Sequence, residues 1–95
     1  MKILAIENEY DGKSSDDFKP YLKDEAMLLW EFYKKSFIRE LYFREDKNSA
    51  ILILESKSVE EAQKNLMELP LVKEKLIYFE IIPLVAYPGF ERLFQ

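Results

Sequence analysis

The chain has 95 residues, 48% hydrophobic and 34% charged, the balance of one small folded domain and not of a disordered segment. It contains neither Cys nor His, which removes disulfides, thiolate and imidazole nucleophile pairs, zinc-finger spacings and the usual proximal haem ligand. Lys and Arg number 14 against 18 Asp and Glu, and the net charge of −4 disfavours a nucleic-acid or anionic-membrane partner.

The N-terminal run meets Glu7 too early to act as a signal peptide, and the longest apolar run, 76–87, is broken by Glu80. A soluble cytoplasmic protein with a single domain over 1–95 is the expectation. Residues 2–7 predict a strand, with Ile3, Leu4, Ala5 and Ile6 apolar on both faces. Residues 8–13, with Asp11 and Gly12, predict a turn. Ser14, Ser15, Asp16 and Asp17 are cap candidates for a long helix reaching about Ser36, and because Pro20 fits only the first turn of a helix, Asp16 or Asp17 is the expected cap. Residues 38–45 and 49–56 read as strands joined by the polar turn 46–48. Ser58, Val59, Glu60 and Glu61 form a capping box, and Val59, Ala62, Leu66 and Leu69 keep helical spacing until Pro70 stops the helix. Residues 76–84 read as a fourth strand, after which Pro88 and Gly89 lead into an aromatic tail, 86–95.

The order βαββαβ predicts an α+β, ferredoxin-like domain: a four-stranded antiparallel sheet with two helices on one face. The other face has no intramolecular cover. The third strand is apolar on both sides (Ala50, Leu52 and Leu54 against Ile51 and Ile53), so a second copy is expected to pack there, with the tail as a clasp across the homodimer.

Glu25 is the most informative residue. Phe18, Leu22, Leu29 and Phe32 centre an apolar arc of about 200° on the first helix, and Glu25 falls near its middle. A carboxylate aimed at aliphatics must be paired, hydrated or neutralised. It is read either as half of an ion pair with Arg39 or Arg44, or as a general base or acid tuned by its apolar setting. Arg39 can offer a planar fork to a substrate carboxylate and Tyr42 a hydroxyl to a carbonyl oxygen; the alternative for Arg39 and Arg44 is a salt bridge with Glu40, Glu55 or Glu80. Trp30, Tyr33 and Phe37 form an aromatic stripe expected to pack against the sheet or a second subunit.

Residues 22–71 resemble muconolactone Δ-isomerase and its relatives among the dimeric α/β-barrel proteins. The resemblance lies in Asp24-Glu25 on the first helix, Arg39, Leu41 and Tyr42 on the next strand, Ser58-Val59-Glu60, and the helix end Leu66-Met67 with Leu69-Pro70-Leu71. It implies a dimeric α/β barrel and a cofactor-free isomerase that shifts a double bond in a lactone-type or carboxylated metabolite. It also implies that Glu25 is the proton-transferring carboxylate and that Arg39 and Tyr42 are substrate-binding groups, with no metal involved. The competing expectation is a non-catalytic small-molecule-binding or assembly protein of the same fold.

Overall fold

A computed structural model describes all residues, 1–95. The elements run β1 (Lys2–Glu9), α1 (Ser15–Phe18), a 3-10 turn (Lys19–Tyr21), α2 (Leu22–Lys34), β2 (Ile38–Phe43), β3 (Ala50–Glu55), α3 (Val59–Leu66), α4 (Pro70–Lys73), β4 (Ile77–Leu84) and a 3-10 tail (Gly89–Phe94). All strand pairs are antiparallel in the order β2-β3-β1-β4. The ferredoxin-like α+β sheet expected from the element order is therefore present.

The register divides the sheet into two surfaces. Ile3 opposite Leu54 and Ala5 opposite Leu52 lie on the helix-covered side, where all four are fully buried beneath Phe32, Ala62, Leu66 and Leu69. Leu4 opposite Ile53 and Ile6 opposite Ile51 take the other side, because successive side chains point to opposite faces. Leu4 also faces Ile82, and Tyr42 faces Ile51, so the uncovered side carries one continuous aliphatic patch.

The first helix does not form in one piece. Ser14 is the N-cap in place of Asp16 or Asp17; its amide donates to the Asp17 carboxylate at 2.9 Å. With Ser14 as the cap, Pro20 would fall in the helix interior, where it lacks an N–H and its ring crowds the preceding turn. The chain tightens to 3-10 over Lys19–Tyr21 and restarts as α2 at Leu22. Pro70 likewise opens a helix as well as closing one. It is the first residue of α4, where a missing N–H is harmless.

Helices α2 and α4 both end in a left-handed residue that is not glycine, Ser36 (φ 67°) and Lys75 (φ 57°). After α2, the Phe37 amide donates to the Phe32 carbonyl and the Ser36 amide to that of Tyr33, the Schellman pattern. The Phe32 and Phe37 rings meet edge to face at 5.1 Å and seal it. A side chain at that φ costs about 1 kcal/mol. Ser36→Gly is accordingly expected to raise the melting temperature by roughly 4–8 °C, as read by calorimetry.

The tail beyond Leu84 leaves the body of the fold. Tyr87 packs its ring over Gly89 and edge-on to Phe90 at 5.0 Å, while Val85, Leu93 and Phe94 stay in solvent. The radius of gyration is 15.5 Å, against about 12.4 Å for a compact chain of this length. The accessible surface is 7108 Å², where a folded monomer of this mass exposes about 5,800 Å².

Candidate functional site

Glu25 lies in the first turn of α2 on the inward side that the helical wheel assigned to it, and only 6% of it is exposed. No cation pairs with it. Arg44 instead forms a two-pronged pair with Asp46 at 2.8 and 2.6 Å, and Arg39 donates from Nε to the Ser36 carbonyl at 2.9 Å. The partner of Glu25 is the backbone: the Leu71 amide donates to its Oε1 at 2.9 Å. That amide belongs to the first turn of α4, whose early N–H groups lack helical acceptors. Burial raises the Glu25 carboxyl above its ordinary value, and the Leu71 bond partly offsets this.

A second buried acid stands near it. β1 extends to Glu9, past the expected end at residue 7, and Glu7 continues the inward row begun by Ile3 and Ala5. Ser49, itself buried, donates from Oγ to the Glu7 carbonyl at 2.5 Å and ties β1 to the start of β3. Burial pushes the Glu7 carboxyl up to about 7; the Ala50 amide pulls it down, and the charges of Glu9 and Glu25 push it further up. The two acids therefore feel one another across the helix-to-sheet gap. The signal for Glu7 was present in the alternation of β1, since positions 3, 5 and 7 share a face. It was masked because Leu4 and Ile6 are apolar too, so the strand showed no polar side.

Glu7 opens onto a cavity of about 500 Å³ between the 13–22 segment and the end of the sheet, walled by Phe18, Leu22, Phe43 and Leu71 with Lys13 at its rim. Glu25 is set behind this wall, joined to it by its bond to Leu71. The size suits a small organic molecule, and four apolar side chains share the lining with seven polar or charged residues, among them Glu7, Glu9, Lys13 and Lys19.

Arg39 and Tyr42 are brought together, but elsewhere. They share a surface cavity of about 420 Å³ on the edge strand β2 with Leu29, Trp30, Tyr33 and Glu40. Tyr42 donates its hydroxyl to Glu40 at 2.7 Å. A bulge between Ile38 and Glu40 turns Arg39 out of the regular alternation. Trp30 and Tyr33 stack at 5.8 Å and are about half exposed, so within one chain this part of the stripe packs on neither the sheet nor the core. Phe37 alone of the stripe is buried. Glu55, one expected partner of Arg39, is instead bonded to the amino terminus at 2.5 Å, which holds its carboxyl below the ordinary value. No group of three or more acidic side chains is placed to hold a metal ion, and no helix is long and apolar enough to cross a membrane.

No family model matches the sequence, and no curated protein matches it. Among solved structures, the crystal structure of muconolactone isomerase at 3.3 Å resolution is similar with a TM-score of 0.73. The alignment covers 94% of this chain and 93% of that one, at 20% sequence identity. The chain thus shares the fold of muconolactone isomerase along nearly its whole length.

Proposed function

We propose that this chain is a cofactor-free, isomerase-type protein that moves a proton on a small carboxylated or lactone-type molecule, with Glu25 as a buried carboxyl on which that transfer depends. The observation that carries the reading is a buried carboxyl without a cation partner, set beside a cavity of ligand size. An acid in that setting is raised toward neutral pH, where proton exchange with carbon acids is most effective. The fold likeness to muconolactone isomerase adds the substrate class. Arg39 and Tyr42 line the separate edge-strand cavity, and the reading keeps them as a carboxylate- or carbonyl-binding pair there and not as neighbours of Glu25.

The test is turnover of muconolactone in D2O, followed by NMR for deuterium uptake at carbon and for movement of the double bond. Glu25→Gln keeps an oxygen for the Leu71 amide but removes the acid and its charge, and is expected to lower turnover at least tenfold. Unchanged turnover in that variant would leave a second reading, in which Glu25 only caps α4 and the chain is a binding or assembly protein.

The proposed working form is a homodimer joined through the uncovered face of the sheet. The patch of Leu4, Ile6, Ile51, Ile53 and Ile82 supports it, as do the outlying tail and a surface excess of about 1,300 Å² over a compact monomer. A typical interface removes about 800 Å² from each partner.

A further inference from the structure

We infer that Glu7 is the group through which this site meets its substrate: its carboxylate takes the proton from carbon at the cavity wall and returns it one allylic position away, while Glu25 acts through Glu7 from behind. The inference rests on the proton-transfer reading above and assigns the contact within it.

Three observations place Glu7 there. It lies on the wall of the cavity whereas Glu25 does not. It is fixed on a central strand, opposite Phe79 of β4 on one side and beside Ala50 of β3 on the other, with Ser49 at the end of the β2–β3 connection bonded to its carbonyl. And it is 9% exposed, enough to touch a bound molecule while shielded from bulk water. Its carboxyl, pushed up to about 7, is divided between acid and carboxylate at neutral pH, as a group that must both accept and donate requires.

The step balances without a co-reactant. The Glu7 carboxylate accepts a proton from the γ carbon of the unsaturated lactone, and the C–H electron pair passes through the double bond to the carbonyl as a dienolate. The resulting carboxylic acid then protonates the carbon next to the carbonyl, the double bond settles between the β and γ carbons, and Glu7 is a carboxylate again. Glu25 is a positioning residue here: its charge makes Glu7 more basic. The other charged groups around Glu7 are Glu9 on its own strand, Lys13 and Lys19 from the segment over the cavity, and Lys47 from the β2–β3 turn.

The experiment compares the full-length parent chain with Glu7→Gln, Glu7→Asp and Glu25→Gln in the muconolactone assay in D2O, with circular dichroism to confirm folding. Glu7→Gln is expected to lose both deuterium uptake and double-bond movement by about 10³-fold, and Glu7→Asp to retain measurably more than Gln. In the parent, kcat/KM should rise with pH through a limb near neutrality, and Glu25→Gln, which keeps the Leu71 bond but not the charge, should move that limb to lower pH. Glu7→Gln within threefold of an active parent overturns the assignment and leaves the proton-transfer reading standing. A parent that neither exchanges nor isomerises the lactone overturns the reading and the assignment with it.

Discussion

At pH 8, Glu7→Gln is expected to melt about 10 °C or more above the parent chain, and at pH 5 the gap is expected to shrink to about a quarter of that. Burial raises the folded Glu7 carboxyl from 4.5 to about 7, while the unfolded chain keeps the ordinary value. Between those values the folded state holds a proton that the unfolded state has released. Stability is therefore greatest below pH 4.5, falls as pH climbs through the window, and is fully lost from this source above 7. The size is about 3 kcal/mol, and each kcal/mol moves the midpoint of a domain this small by roughly 4–8 °C. Gln matches the protonated acid in shape and still presents an oxygen to the Ala50 amide, so it removes the charge without removing the bond. The buried Glu25 shifts in the same direction and leaves a smaller slope in the variant. The acids held below their ordinary values, Glu31, Asp46 and Glu55, titrate below this window and do not contribute to it. Thermal melts of both proteins from pH 5 to 8 decide the matter: parallel curves, or a Gln variant that is less stable at pH 8, would remove Glu7 from the list of costly buried charges. A gain in stability together with a loss of turnover is what a charge kept for chemistry and not for folding should give.

The fold was readable because its signals were local and mutually consistent. Strand alternation, the Ser58 cap and the turn at Gly12 each named one element, and the order of elements left one arrangement. Glu25 was readable for the same reason, since a helical wheel fixes which side a residue faces. What failed depended on information a wheel does not contain. Pro20 split the first helix because the true cap lay two residues earlier than expected, at Ser14. Glu7 was hidden because a central strand is apolar on both sides, and one acid at its end looks like the start of a turn. The placement of Arg39 and Tyr42 away from Glu25 turns on a single bulge at the edge of the sheet, which no spacing in the sequence announces. Residues on a strand leave the side of the sheet that faces a neighbouring helix when that strand slips by one residue.

Replacing Ile51 and Ile53 together by Glu is expected to convert a dimer into a folded monomer. Both side chains lie on the uncovered face of β3, Ile51 between Ile6 and Tyr42 and Ile53 beside Leu4. In an isolated chain this face meets water, so two carboxylates there cost little beyond strand propensity, and the buried partners Leu52 and Leu54 are untouched. In a dimer the same positions sit at the centre of the contact, where carboxylates without cations would lose their hydration against an apolar partner surface at several kcal/mol each. Because the contact repeats each residue on both copies, the cost is doubled. Light scattering coupled to size-exclusion chromatography should give about twice the 11.4 kDa protomer mass for the parent and the protomer mass for the variant, with matching circular dichroism. A parent that runs as a monomer at tens of micromolar, or a variant that stays dimeric, would mean that the aliphatic sheet face is not where two chains meet. The exposed Trp30 and Tyr33, with Arg39 and Tyr42 beside them, would then be the next surface to test by the same measurement.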